Sequence, residues 1–170
     1  MRSAIHVPHQ QVQQRFNSFA HTPRLSVDAS RAATFMTALL GDLWLAQRFH
    51  AHGARTATGA TLHILDPGLP SGNGPAFRDA HLIMDGQHVR GDIAIHPTST
   101  FWFEQSCHLD EGYRNTILHV VLSPDFWTGG LLTLSGNMLE ELVLCSYLEQ
   151  ACCQRLQTWL GQYVFSNDVL

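Results

Sequence analysis

Residues 116–122 constrain the fold more than any other part of the sequence. They read Thr-Ile-Leu-His-Val-Val-Leu, a nearly continuous apolar run. A strand solvated on one face alternates apolar and polar residues, whereas a short apolar run without alternation is typical of a strand covered on both faces. The sequence therefore predicts a sheet with a buried central strand, and other parts of the chain must cover both of its faces.

More strands are predicted around this one. Residues 78–84 and 89–96 flank Asp85-Gly86, a dipeptide that favours the two-residue turn of a β-hairpin. Residues 60–65 show the same period of two, and residues 131–134 could form a further short strand.

Two helices are predicted at either end of these strands. Residues 29–51 place apolar side chains every three to four positions, and Gly53 is suited to end that helix. Residues 137–164 show a second amphipathic pattern. The two predicted apolar stripes are Phe35, Leu39, Leu43, Ala46 and Phe49, and Met138, Leu142, Cys145, Cys152, Leu156, Trp159 and Tyr163. Helices and strands in this order predict an α/β (α+β) fold, a small mixed sheet flanked by helices.

The 170 residues suit a single domain, which we expect to span residues 28–165. Residues 1–27 read as an N-terminal arm and residues 166–170 as a C-terminal tail. The arm and the helix over 137–164 are candidate contacts for a protein partner or a second copy of the chain. The alternatives are a disordered arm, and a helix that only covers the sheet.

Composition excludes several kinds of function. The chain has no lysine, which rules out Schiff-base and P-loop chemistry, and its formal net charge of −4 does not support free binding to nucleic acid. Residues 1–31 are mildly basic, as a nucleic-acid contact or merely a solvated arm would be. No apolar stretch approaches the length of a membrane span.

The four cysteines fit neither a zinc motif nor a thioredoxin motif, which favours a reducing, cytoplasmic compartment. Cys145 and Cys152 are expected to share a helix face, and the neighbours Cys152 and Cys153 are not expected to bridge each other.

The strand over residues 89–96 carries the best site candidates. Alternation places Arg90, Asp92, Ala94 and His96 on one face. Asp92 and His96 are candidate catalytic or metal-binding residues, because a charged, histidine-bearing face is costly to bury for packing alone. A solvated outer face is the alternative.

Two further stretches add candidates to this site. His108 is a third candidate for catalysis or metal binding, and Asp110, Tyr113 and His119 join Arg90 as candidate binding residues. Residues 107–113 could equally be a plain polar loop, and His119 a hydrogen-bonded core histidine. No nucleophile-elbow or phosphate-loop motif is present.

Taken together, these residues resemble an uncharacterised bacterial family, domain-of-unknown-function family 2851, from about residue 40 to residue 134. Its members carry an LW helix, PG, GPDF, G-D-V-E-I-H, S-S-D-W, H-G-H-H, D-P-A-Y-N and L-H-V-V. The matching residues here are Leu43-Trp44, Pro67-Gly68, Gly74-Pro75-Ala76-Phe77, Gly91-Asp92-Ile93-Ala94-Ile95-His96, Trp102, His108, Asp110, Tyr113, Asn115 and Leu118-His119-Val120-Val121.

The family pattern is in turn similar to the PD-(D/E)XK nucleases, in which two acidic residues hold a divalent metal that activates water. The resemblance thus implies a nuclease-like fold with a metal site. This chain departs from the pattern, with Ala76 and Ala94 at the two acidic positions and Phe101, Gln105 and Cys107 at three other polar ones. An alanine side chain cannot ligate a metal, so tight Mg²⁺ binding should be lost.

Two functional hypotheses follow. The first is a non-catalytic, degenerate nuclease-like domain that acts as a binding or assembly module and needs no cofactor. The second is a metal-dependent hydrolase, a nuclease or phosphoesterase, with a rearranged site of Asp92, His96 and His108. Imidazole ligands would favour Zn²⁺ or Mn²⁺ in that site.

Overall fold

The computed structural model describes residues 27–125 and 131–163. The helices in these ranges are α1 (Val27–Leu45), α2 (Phe101–Glu104) and α3 (Gln150–Tyr163). The strands are β1 (Leu62–Asp66), β2 (Leu69–Pro70), β3 (Phe77–Met84), β4 (Gln87–Thr98), β5 (Thr116–Ser123), β6 (Leu131–Leu132) and β7 (Met138–Val143). Short 3₁₀ turns cover Cys107–Leu109, Glu111–Tyr113 and Leu144–Tyr147. The predicted arm over residues 1–27, apart from Val27, and the tail over 166–170 lie outside the described residues.

The strands form one mixed sheet in the order β1-β3-β4-β5-β7-β6, with β2 paired to β3. The α+β class with a mixed sheet is therefore confirmed. The β3–β4 hairpin is also confirmed: Met84 pairs with Gln87 across a turn whose two central residues, Asp85 and Gly86, have φ of 47° and 80°. Two positive φ angles are typical of the mirror-image turn whose twist matches that of the strands.

Strand β5 is the buried central strand that the sequence predicts. It lies between β4 and β7 and runs parallel to both. Leu118, Val120 and Leu122 point to the side covered by α1 and α3, and His119 and Val121 lie between them in the strand on the opposite side. None of these five side chains exposes measurable surface.

Helix α1 exists, but its end and its buried stripe differ from the prediction. It ends at Leu45, and Gln47 (φ 49°) rather than Gly53 makes the left-handed turn after it. Phe35, predicted to be buried, is 60% exposed. The buried stripe is Ala29, Ala32, Ala33, Met36, Leu40 and Trp44. Of the other predicted residues, Leu39, Leu43 and Phe49 are half-buried against the core, and Ala46 is exposed.

The prediction of one helix over residues 137–164 is wrong. Residues 138–143 form β7, which pairs with β5 so that Leu118 lies opposite Glu140 and Val121 opposite Val143. This pairing satisfies backbone groups on the second edge of β5 that a helix would have left without partners. A 3₁₀ turn follows, and α3 begins only at Gln150. The proposed contact helix over 137–164 therefore does not exist as a unit.

The cysteines of this region also differ from expectation. A disulfide joins Cys145 in the 3₁₀ turn to Cys153 in α3, and Cys152 is exposed. Cys145 and Cys152 do not share a face, because the helical period does not extend across the turn. Cys152 and Cys153 do not bridge each other, as expected. Among the described helices, none is long and apolar enough to cross a membrane.

Candidate functional site

Three neighbouring strands place a hydrogen-bonded row of side chains on the sheet face opposite α1 and α3. The register sets Ala94 of β4 opposite His119 of β5, and His119 opposite Glu141 of β7. His96 Nδ1 lies 2.9 Å from His119 Nε2, and His119 Nδ1 lies 3.0 Å from Glu141 Oε2. Ser99 Oγ donates to Glu141 Oε1 at 2.8 Å. We call His96, Ser99, His119 and Glu141 the histidine network.

An apolar layer covers most of the histidine network. Residues 101–113, which include α2 and two 3₁₀ turns, cross this face and bring Trp102 and Cys107 over it. The Trp102 ring centroid lies 5.5 Å from that of His119, and Cys107 Sγ lies 3.9 Å from His96 Nε2. Burial of polar groups on this scale is tolerated because each network side chain has a hydrogen-bond partner.

Burial also sets the protonation of the network's outer end. Burial, with a smaller contribution from the neighbouring His119, lowers the pKa of His96 to about 3, and a side-chain hydrogen bond with Gln105 opposes this shift. Burial raises the pKa of the Cys107 thiol to about 11, and it raises the pKa of the Tyr113 hydroxyl, with Cys107 contributing. At neutral pH the thiol and the imidazole of His96 are therefore both uncharged. The Cys107–His96 pair thus lacks the thiolate that nucleophilic catalysis by cysteine requires.

A groove opens beside the outer end of the network. It has a volume of about 590 Å³ and runs between α1 and the turn-rich segment 70–77. His96, Phe101, Gln105 and Tyr113 line one part of it, and small side chains of α1 line another. Its size lies within the range of small-molecule sites.

Asp92, a predicted catalytic and metal-binding residue, is not part of this arrangement. It lies four positions before His96 on β4, about 13 Å away at the rise of a strand. Its carboxylate accepts from Arg78 Nη1 at 3.2 Å and from the backbone N–H of Asp79 at 3.1 Å. Both of these contacts are with β3, so the carboxylate of Asp92 stabilises the β3–β4 hairpin instead of facing a reactive site.

The other predicted residues divide between the network and the surface. His119 belongs to the network, and Tyr113 packs edge-on against Trp102 and lines the groove. Arg90 is exposed and lies 3.8 Å from Asp79. Asp110 is exposed and caps its own turn by accepting from the backbone N–H of Gly112. His108 packs against Phe103, and its buried Nδ1 has no hydrogen-bond partner.

The donor set does not fit the divalent metal that the resemblance implies. Phe77 pairs with Ile93, which brings the two alanines of the motif positions, Ala76 and Ala94, to neighbouring places in the hairpin. Neither side chain contains an oxygen atom that could ligate a metal. Over residues 27–125 and 131–163, no group of three or more His, Cys, Asp or Glu side chains is placed to hold a metal ion. Asp92, His96 and His108 in particular do not converge.

Sequence reasoning missed Glu141 and Ser99, and it noted Gln105 and Cys107 only as departures from a motif. The helix predicted over residues 137–164 has no register with β5, so it gives no reason to place Glu141 beside His119. Residues 138–143, Met-Leu-Glu-Glu-Leu-Val, do not alternate apolar and polar residues, so no local signal marks them as a strand.

Comparison with known proteins gives one finding. Searches of curated proteins and of solved structures returned no match to this chain. A family model matches residues 37–166, which is most of the chain and includes α1 from Thr37 onward and the whole sheet. The family suggested by the sequence motifs is thus confirmed. The chain belongs to the family described as Protein of unknown function (DUF2851).

Proposed function

We propose that this chain is a non-catalytic member of its family, a degenerate PD-(D/E)XK nuclease-like domain kept as a binding module. The observation that carries the proposal is the environment of Ala94. This residue stands where the family motif has a glutamate, exposes 0% of its surface, and packs with Trp102, Cys107, Leu131 and Leu139. Apolar packing thus occupies the place where the resembled enzymes hold a metal-binding carboxylate.

The surrounding polar groups support the same conclusion. Asp92 is neutralised by Arg78, and the imidazoles of His96 and His119 are hydrogen-bonded to each other. Each of these groups has a structural partner, so none is poised to activate water or to stabilise charge on a phosphate. The groove beside His96 is the concave surface that we assign to binding.

A cleavage assay on the full chain tests this proposal. Plasmid DNA, single-stranded RNA and p-nitrophenyl phosphate are incubated with Mg²⁺, Mn²⁺ or Zn²⁺, with EDTA, and in parallel with a His96→Asn variant. We expect no turnover above that of the variant under any metal. EDTA-sensitive cleavage that the variant loses would refute the proposal and favour the rearranged metal-dependent hydrolase.

Metal uptake gives a second, independent measurement. The rearranged hydrolase requires a stoichiometric metal ion, which would raise the melting temperature in a saturable way through binding linkage. Our proposal predicts no saturable shift with Mg²⁺, Mn²⁺ or Zn²⁺ that depends on His96. A shift with Zn²⁺ or Mn²⁺ that His96→Asn abolishes would contradict it.

A further inference from the structure

The disulfide between Cys145 and Cys153 joins two segments that are anchored very differently. Cys145 lies in the 3₁₀ turn Leu144–Tyr147, whose first residue exposes 0% of its surface. The Tyr147 hydroxyl accepts from the backbone N–H of Arg55 at 2.7 Å and donates to the carbonyl oxygen of the same residue at 3.0 Å. The turn is therefore fixed to the core and to a neighbouring segment without the help of the disulfide.

The first half of α3 is held by much less. Of residues 150–155, Cys153 alone is not exposed. The apolar side chains that α3 packs against the core, Leu156, Trp159 and Leu160, begin only in the middle of the helix. A helix of 14 residues is marginally stable in water by itself, so its first half depends on a tertiary anchor. Cys153 is placed to be that anchor.

The disulfide is not sealed inside the core. Cys145 and Cys153 are both half-buried, so solvent reaches this pair. Exchange with an external thiol requires such access. A dithiol reductant attacks one sulfur to form a mixed disulfide, and its second thiol then displaces the protein. The chain gains two electrons and two protons as two thiols, and the reductant leaves as a cyclic disulfide.

We propose that the disulfide between Cys145 and Cys153 is a redox switch that controls whether the first half of α3 is docked on the core. In the oxidised chain the disulfide ties α3 to the anchored turn. Reduction by a dithiol leaves the turn in place and releases the start of the helix. This inference goes beyond the proposed binding role, because it concerns the helix face of the sheet and no residue of the histidine network.

Release of α3 uncovers apolar surface on the helix face. Leu160 is 2% exposed, and Leu156 and Trp159 are half-buried against the same core. The Trp159 ring centroid lies 5.5 Å from that of Phe35 in α1. Without the disulfide these contacts must hold the helix alone, so α3 opens more often and exposes them to solvent.

Two measurements on the full chain test the switch. Thiol titration in denaturant should find two free thiols before treatment with dithiothreitol, from Cys107 and Cys152, and four after it. Hydrogen exchange at neutral pH should show the amides of α3 exchanging about tenfold faster after reduction, while those of β5 stay protected. Four thiols before reduction, or equal exchange of α3 in the two states, would overturn the inference.

Two variants separate the disulfide from other effects of the reductant. Cys145→Ser removes the disulfide and leaves the neighbours Cys152 and Cys153, so its α3 should exchange as in the reduced parent, with or without dithiothreitol. Cys152→Ser changes the exposed thiol next to the disulfide and should behave as the parent in both states. Protected α3 amides in Cys145→Ser, or a response of this variant to the reductant, would contradict the switch. None of these outcomes depends on cleavage or on a ligand, so the switch and the non-catalytic role can fail separately.

Discussion

The two faces of the central sheet are built from the same strands but stabilised in different ways. The helix face, covered by α1 and α3, is apolar and includes Leu118, Val120 and Leu142. The network face, covered by residues 101–113, buries His96, His119 and Glu141. The stability of the helix face depends on close packing of apolar side chains. The stability of the network face depends on a complete set of hydrogen bonds and on the protonation state of its side chains. Adjacent residues of one strand should therefore respond differently to substitution and to pH.

The largest effect should come from restoring the motif glutamate at Ala94. Ala94→Glu places a carboxylate in a fully buried apolar cluster without a cationic partner. We expect a loss of about 4 kcal/mol in the free energy of unfolding, measured by urea denaturation. Ala76→Asp, at the half-buried edge of the groove, is the matched control and should change stability by less than about 1 kcal/mol. A loss at Ala94→Glu as small as that expected for Ala76→Asp would show that this apolar cluster accepts an added carboxylate.

Leu142→Ala tests the helix face next to the network. Leu142 of β7 exposes no surface and belongs to the core shared with α1 and α3, while its neighbour Glu141 faces the network. The cavity left by the substitution should lower the free energy of unfolding by about 3 kcal/mol. The loss should be the same at pH 5 and at pH 7, because no titrating group is removed. Met138→Ala on the same strand, 59% exposed, should cost far less. A Leu142→Ala loss that varied with pH would mean that the two faces are not energetically separate.

Acid should destabilise the network face through His96. Its pKa is about 3 in the folded protein and about 6.5 when unfolded, so the unfolded state takes up a proton first. Stability is then unaffected above pH 6.5 and falls as the pH drops toward 3. Between pH 7 and pH 5 the expected loss is about 2 kcal/mol. The stability difference between the parent and His96→Asn should shrink by that amount, and a constant difference would contradict the assignment.

The parts of this fold that the sequence predicts are those with local signals. Asp85-Gly86 specifies its hairpin turn, and the run from Thr116 to Leu122 specifies a strand buried on both faces. Residues 138–143 are predicted to be helical because Met138, Leu142 and Cys145 recur at a spacing of three to four residues. Pairing with β5, which lies some twenty residues earlier, decided the outcome. No local pattern contains that information.

The candidate site also contains some residues that the sequence identifies and others that only the strand register brings together. His96 and His119 could be singled out as polar residues on predicted strands, but their contact depends on the parallel register of β4 and β5. A helix over residues 137–164 does not identify Glu141 as a partner of His119. The family motifs identified Ala76 and Ala94 as positions where this chain lacks the acidic residues of the pattern. They gave no indication that the vacated place at Ala94 is packed with apolar side chains.

The smallest loss of stability should come from a substitution at Ser99, at one end of the histidine network. Ser99→Ala removes the one hydrogen bond that Ser99 Oγ donates to Glu141 Oε1, and it leaves the bond from His119 to the same carboxylate. We expect a loss of about 1 kcal/mol in urea denaturation, because a single buried hydrogen bond is lost and little volume changes. A variant as stable as the parent would show that Ser99 only fills space, and that the network face depends on the His96–His119–Glu141 contacts alone.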